Sequence, residues 1–565
     1  MNEGLLGEVR AHDARVARSG LRIWIGSEPT FTQPQSQHPC WLSEADSGEK
    51  EVHARALLLA LAPRLGGEVQ LMRVPGRLYP GEAAARFCFG ALFERHAEPR
   101  AGSAFDADFE SLRDAPQVDE AAGWLTITPD PAVVEVNMAP AHDLVTFARW
   151  LEDIYAAAAE VRLSPTRFRY NGELTDSGGG GQITFGGPSP VQSPFFLRPQ
   201  LLPSMLRYFN RHPALSYLFA SACCGSGSQG PRPDEGVRER FDELPVALDY
   251  LSARGDSATP TELWSMLAPL LVDATGSTHR AELNIEKLWN PWFAGRGQLG
   301  LVELRALRMP ATPARLTAVA ALYRSIVARL AAQPYHEPLL DWGSRLHDTY
   351  GLPWYLERDL EAVLEDLETY GFGLGPLLRA ELRARPEPLA ILQLGEATLE
   401  LRPAVNFWPL LGDLSSQEQH GARLVDASTT RLELLIRSPR AGTLGLVAAN
   451  GFRVPLLPIT GPATERGIGS VIYRTFAPQI GLHPALAVND PLLIEWQRDG
   501  ACIRAELHAW KPGGGPYAGL PADDAEARAR REARVVITSG PRGEHRPSQV
   551  SGMALDLRRQ SPAPR

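Results

Sequence analysis

No stretch of this 565-residue chain approaches the roughly 20 consecutive apolar residues that a membrane-spanning helix needs. Its first residues, Met1-Asn-Glu-Gly-Leu-Leu-Gly-Glu-Val-Arg10, lack a basic segment followed by an apolar core, so no signal peptide is expected. An excess of positive charge is missing too. Lys and Arg number 57 against 66 Asp and Glu, giving a net charge of −9 and a pI near 5.9. That balance excludes a global basic field for nucleic acid or an anionic membrane. Cysteine is scarce: Cys40, Cys88, Cys223, Cys224 and Cys502 form neither an even disulfide framework nor a metal-ligand spacing. Reduced thiols in a cytoplasmic protein are the expectation. The P-loop, the dinucleotide glycine fingerprint, the nucleophile elbow and a Cys-His motif are all absent. His53 and His279 stand as single histidines without partners at metal-ligand spacing.

What remains is an ordinary globular composition, 44% apolar and 22% charged, in a chain long enough for two or three domains. The stretch Leu125–Pro190 is its most informative part. Leu125-Thr-Ile-Thr-Pro-Asp-Pro-Ala-Val-Val-Glu-Val-Asn-Met138 reads as two strands joined at Pro129-Asp130-Pro131. Period two places Glu135 and Asn137 on one face and Val134, Val136 and Met138 on the other. The glycine run Gly178-Gly-Gly-Gly181, then Gln182, leads into another strand, Ile183-Thr-Phe185, and no charge occurs between Ser177 and Leu197.

The same device recurs. Leu21-Arg-Ile-Trp-Ile-Gly-Ser-Glu28 is a strand that Pro29 stops. Read as a strand, Thr278–Leu288 puts Arg280, Glu282, Asn284 and Glu286 opposite Ala281, Leu283 and Ile285; Gly300–Ala306 puts Glu303 and Arg305 opposite Val302 and Leu304. Antiparallel sheets with one solvated face look like this. Carboxylates on neighbouring strands can equally hold a divalent cation through oxygen, with Arg receiving phosphate oxygens. The glycine run is either a flexible turn or an anion nest of successive amides.

Helices are expected over Lys50–Leu65, Asp143–Leu163, Leu201–Arg211, 237–253, 261–273 and from Thr312 to about Tyr370. Val74–Glu82, carrying Arg77 and Glu82, reads as a turn-rich loop, and residues 98–120 as an acidic surface excursion. The pattern changes near Gly375–Pro388, after which short strands separated by turns suggest an all-β sandwich or small barrel. The expected organisation is therefore an α+β domain over 1–385 and an all-β domain over 386–520. A short helix and a polar, disordered tail are expected over 521–565.

These residues together resemble the bacterial amidoligase family. The segments that carry the likeness are Gly26-Ser-Glu-Pro-Thr-Phe31, Leu78-Tyr-Pro-Gly-Glu82, Thr128–Asn137, Gly178–Pro188, Ser193-Pro194, His212–Phe219, Thr278–Glu282 and Gly300–Arg305, with weaker likeness through His508 and Pro512-Gly-Gly514. The resemblance implies a glutamine-synthetase-like antiparallel sheet and a carboxylate–amine ligase that uses ATP and Mg²⁺ to make an amide from a peptide or small-molecule carboxylate and an amine. It implies Glu28, Glu135 and Glu303 as Mg²⁺ ligands with Asn137 in support, and Arg280 and Arg305 on phosphate oxygens. Glu282 is implied at the metal or amine site, and Gly178, Gly179, Gly180 and Gly181 at the nucleotide. Transglutaminase-like, ATP-grasp and all-helical proteins are the implied partners, on separate chains. Two positions depart from the family's pattern: Gly181-Gln182 stands where an Asn-His pair is usual, and Arg308 where a Glu is usual. Gln182 cannot act as a base. The rival readings are a degenerate scaffold that binds a peptide or partner, and a hydrolase or transferase using the same carboxylates without ATP.

Overall fold

The computed structural model describes residues 2–42, 48–66, 69–75, 87–94, 110–111, 122–130, 132–220, 223–292, 297–412, 424–439, 444–460, 465–541, 543–549 and 552–560. The Leu78–Glu82 motif, the loop carrying Arg77 and Glu82, and all of the 98–120 excursion except Glu110–Ser111 lie outside the described residues.

The fold mixes helices with mainly antiparallel sheets. A four-stranded sheet has the order Trp24–Ser27, Ile183–Gly186, Val302–Leu304, Leu283–Asn284. A six-stranded sheet has the order Thr30–Phe31, Val133–Asn137, Ala122–Asp130, Phe87–Glu94, Val69–Pro75, Glu110–Ser111, with its last pair parallel. The two meet at Glu28-Pro29. There Pro29, which has no amide to donate, ends one strand, yet its carbonyl accepts from Val136 at 2.8 Å and that of Ser27 accepts from Met138 at 3.1 Å. The Val133–Asn137 strand thus runs past the break and holds both sheets in one frame. Its apolar face is closed, with Val134 and Val136 fully buried.

Helices cover the backs of these sheets. In Leu144–Glu160, Leu144, Phe147, Ala148, Leu151, Ile154, Ala157 and Ala158 are buried at three- and four-residue spacings, the stripe of a core-facing helix. Asp143 caps it, accepting from the Thr146 amide at 2.7 Å. Pro313–Ala332 is buried on every side from Leu316 to Ala331, as a helix through the centre of a large core must be. Its Arg324 satisfies its charge on Asp13 and donates to the Ile23 carbonyl at 3.1 Å, which fixes the approach to the Trp24–Ser27 strand. No helix among the described residues is long and apolar enough to cross a membrane.

Buried apolar side chains form one large cluster between Leu5 and Leu382 and another between Ala390 and Leu557. The second lies within a six-stranded sheet that includes Ala397–Pro403, Thr429–Ser438 and Glu465–Arg474, and a five-stranded sheet that includes Leu492–Arg498 and Ala501–Leu507. Leu352 and Trp354 pack with Leu435 and Ile468 between the two.

The expectation of a disordered tail is corrected. After the helix Asp524–Ala533, Val535–Ser539 pairs antiparallel with Ala501–Leu507, and Ala554–Asp556 pairs parallel with Glu465–Arg474. Leu555 is fully buried. The β-branched run Val535-Val-Ile-Thr538 supplies the strand propensity that the surrounding polar composition hides. The helix expected over 261–273 is also shorter, Pro260–Leu267.

Candidate functional site

Three carboxylates converge where the two sheets meet. Glu28 sits at the junction itself. Glu135 lies opposite both Thr30 and Thr128, on the face that period two assigned to it. Glu303 lies between Thr184 and Asn284 in the four-stranded sheet. Lys287, in the turn after Leu283–Asn284, reaches over them: its Nζ is 3.8 Å from Glu303 Oε2 and 4.0 Å from Glu28 Oε1. Arg305 Nη1 donates to Glu303 Oε1 at 2.6 Å, and Asn137 Nδ2 donates to Glu135 Oε1 at 3.1 Å. Asp130 contributes a further negative charge to the neighbourhood of Glu28 and Glu135. Lys50, wholly buried on the helix Gly48–Leu61, donates to the Asp130 carbonyl.

The electrostatics are those of buried, crowded negative charge. Burial, then repulsion from Glu303, push Glu28 up to about 7, against the pull of Lys287 and Arg305. Burial, then Glu28 and Asp130, raise Glu135 well above the usual carboxylate range, although the Asn137 amide opposes this. Burial works against the Lys287 charge, but Glu303 and Glu28 together hold it above its ordinary value. Carboxylates crowded until they resist ionisation are eased by a cation between them, and an all-oxygen donor set suits a hard divalent ion such as Mg²⁺. Arg305 Nε is buried without a hydrogen-bond partner among the described residues. A buried orphan donor beside such a cation site is a position that an anionic oxygen would satisfy.

Glu28, Glu135, Glu303, Asn137 and Arg305 are therefore brought together as the sequence suggested. One candidate is not. Glu282, just before the short strand Leu283–Asn284, is buried with its Oε2 accepting from Ser216 Oγ at 2.6 Å and facing Arg232. Burial, against the attraction of Arg232, pushes it up to about 7. Arg232 in turn holds the Phe209 and Asn210 carbonyls, each at 3.0 Å, so Glu282 belongs to a structural network. Arg280 lies in the turn before the strand, its amide directed at the Ser277 carbonyl, and is not among the charges acting most strongly on Glu28 or Glu135. The strand read over Thr278–Leu288 is only Leu283–Asn284.

The glycine run adjoins the site through its backbone. Gly180 and Gly181 have φ of 76° and 74°. A Cβ on Gly180 would fall 2.3 Å from Thr30 Cγ2, and one on Gly181 would fall 2.4 Å from the Arg308 carbonyl oxygen. The Gly178 amide donates to Asp176 Oδ1 at 3.0 Å and the Gly181 amide to the Glu28 carbonyl at 2.9 Å. Two of the four glycine amides are thus committed to protein acceptors. Gln182 is nearly buried, and its carbonyl accepts from Ser27 Oγ at 2.7 Å. The Arg308 side chain is exposed.

Lys287 and Asp130 were missed by sequence reasoning. The turn breaks the strand period before Lys287, which left Glu286 as the apparent front residue. Glu286 instead accepts from Thr278 Oγ1 at 2.7 Å and sits 3.1 Å from His279 Nδ1. A usable signal was the rarity of lysine: Lys50, Lys287 and Lys511 are the three in the chain, and two of them attend this cluster.

Fold and site together define a protein with a cluster of buried carboxylates at a junction of antiparallel sheets. The chain belongs to the family described as "Putative amidoligase enzyme (DUF2126)", whose sequence model matches residues 5–102 and 113–558. That family name denotes the carboxylate–amine ligase kind. Among solved structures, "Apo GmaS without ligand" is similar at 14% identity over 67% of this chain and 71% of that one, with a TM-score of 0.28. "GmaS/ADP complex-Conformation 1" is similar at 13% identity over 67% and 72%, with a TM-score of 0.30. Likeness at that level adds nothing to the assignment. No curated protein matches the sequence.

Proposed function

We propose that the chain is an ATP- and Mg²⁺-dependent ligase that joins a carboxylate to an amine, with a peptide or small molecule as carboxylate donor. The observation that carries this reading is the convergence of Glu28, Glu135 and Glu303 with Glu28 pushed up to about 7. In this reading Glu28, Glu135 and Glu303 hold the metal, and Asn137 orients Glu135 through its 3.1 Å hydrogen bond. Mg²⁺ and ATP, when bound, supply neutralisation of phosphate oxygens and a phosphoryl group that makes the carboxylate an acyl donor. Arg305 presents its free Nε, and Lys287 its half-exposed ammonium, to negative charge that develops on oxygen. Over the whole reaction a carboxylate, an amine and ATP give an amide, ADP and phosphate. Arg280 is assigned to phosphate oxygens in the same reading, and Gln182 takes a hydrogen-bonding part. The glutamine-synthetase-like assignment of the sheet, a peptide-tagging role and partners of the transglutaminase-like, ATP-grasp and all-helical kinds belong to the same reading.

The test is thermal unfolding with Mg²⁺, with ATP, and with both. A ligand that binds only the folded state raises stability by mass action. Both together are expected to raise the unfolding temperature beyond either alone, and Glu135→Gln, close to isosteric, is expected to abolish that gain while remaining folded. If wild type shows no gain with both, the nucleotide-dependent reading fails and the scaffold or ATP-independent readings take its place.

A further inference from the structure

A second group of metal-binding side chains lies away from the carboxylate cluster, on the helical turn Pro39–Leu42 and the helix Gly48–Leu61. His38 Nδ1 is 3.0 Å from Cys40 Sγ, and His38 Nε2 is 2.9 Å from Glu49 Oε2. One donor atom each from His38, Cys40 and Glu49 falls within 4.8 Å of the other two. Glu49 and His53, four residues apart, share a helix face, with His53 Nε2 3.9 Å from Glu49 Oε1. Cys40 is fully buried and Trp41 nearly so, and the Trp41 indole meets the His53 ring edge-on with centroids 5.3 Å apart. Gln33 Nε2 lies 2.9 Å from His53 Nε2. The group thus has a closed floor and a rim open to solvent through His38.

We infer that His38, Cys40 and Glu49 form a three-residue site for a borderline transition metal of the Zn²⁺ type, its fourth position open to solvent. The donor chemistry selects the ion. Thiolate, imidazole and carboxylate together match zinc and its neighbours, whereas Mg²⁺ and Ca²⁺ take oxygen. The size is compatible: zinc bonds of about 2.0–2.3 Å set tetrahedral donors about 3.5 Å apart, and one donor atom from each of the three residues lies within 4.8 Å of the others. One ion cannot use both His38 nitrogens. It takes Nδ1, beside Cys40, as the Glu49 carboxylate swings from Nε2 to the metal. The Cys40 thiol loses its proton to solvent as the sulfur–metal bond forms. Sequence spacing hid the site because its ligands come as a pair, His38 with Cys40, and a separate Glu49, neither of which is diagnostic alone. A metal here ties the turn to the helix whose Lys50 reaches Asp130 at the carboxylate cluster.

The experiment is titration of the reduced full-length chain with Co²⁺, following the near-ultraviolet thiolate-to-cobalt charge-transfer band, which carboxylate sites do not give. Wild type is expected to show the band at one Co²⁺ per chain and to lose it to equimolar Zn²⁺. Cys40→Ser is expected to abolish the band and Cys88→Ser to keep it. Glu49→Gln, a surface change that leaves the fold intact, is expected to weaken Co²⁺ binding at least about tenfold. Glu135→Gln, in the carboxylate cluster, is expected to leave the band unchanged. No band in folded wild type, a band that survives Cys40→Ser, or full affinity in Glu49→Gln would each overturn the site and leave His38–Cys40 as a hydrogen bond beside a surface His–Glu pair.

Discussion

The Gly181 amide donates to the Glu28 carbonyl at 2.9 Å, and the Glu28 amide donates to the Gln182 carbonyl at 3.2 Å. The glycine run and the carboxylate at the sheet junction are thus laced together by main chain. The run positions Glu28, and the left-handed backbone at Gly180 and Gly181 is what lets it approach so closely.

That relationship separates two neighbouring glycines. Gly181→Ala puts a Cβ at positive φ against the Arg308 carbonyl, a strain of about 1–3 kcal/mol. It is expected to lower stability by that amount in urea unfolding and to reduce any stabilisation by Mg²⁺ with ATP. Gly179→Ala meets open space without a positive φ, and is expected to fall within about 0.5 kcal/mol of wild type. Equal effects at the two positions would show that the close approach is not what the run provides.

The raised Glu28 makes the metal-free protein pH-sensitive. Its folded value of about 7 stands above its ordinary 4.5, so between those limits the folded state binds the proton more tightly. Stability from this group is complete below about pH 4.5 and is lost as pH rises through about 7, by about 3 kcal/mol at most. Denaturant unfolding from pH 4.5 to 8 without metal is the measurement. Glu28→Gln should flatten the fall, leaving the part due to other raised carboxylates such as Glu282. A profile unchanged by Glu28→Gln would mean that the charge is already neutralised in the folded protein.

Gln182 and Arg308 differ from the residues usual in the family at the edge of the site. A His at 182 is able to carry charge or move a proton, a role worth about 10²–10⁴ in rate. Slow wild-type turnover is therefore expected, with a gain in carboxylate-dependent phosphate release in Gln182→His and a larger one in the double variant with Arg308→Glu. Robust wild-type turnover that falls in these variants would show that Gln182 and Arg308 serve this chain's own substrate.

The segment between Leu382 and Ala390, the last and first members of the two large buried clusters, is mostly exposed. Limited proteolysis is expected to cut there first and leave a resistant N-terminal fragment, as two independently folding units require. Arg431, which donates to the His347 and Asp348 carbonyls at 2.6 and 2.7 Å, opposes separation of the pieces. Nicking spread across both regions would show that the clusters fold as one.

Where the strand period held, the site was legible. Glu135 and Asn137 alternate with fully buried valines, Glu303 sits between Val302 and Leu304, and Pro29 marks the break that isolates Glu28. Where the backbone turns, period two misassigned residues: Glu282 was drawn inward by Ser216 and Arg232, and Lys287 came forward from a turn. The tail was misread because local polarity outweighed four residues of β-branched pattern. Its strands are completed by partners about 30 and 80 residues earlier, and no local window contains them.

The rarity of lysine has a practical side. Lys50 is sealed in the core, while the Lys287 side chain is 49% exposed and Lys511 is exposed. An amine-selective acylating reagent applied to the folded protein therefore meets few side chains, and one of them stands over the carboxylate cluster. The extent of Lys287 labelling, read by peptide mass, becomes a footprint of whatever occupies that cluster, with Lys511 as the internal reference.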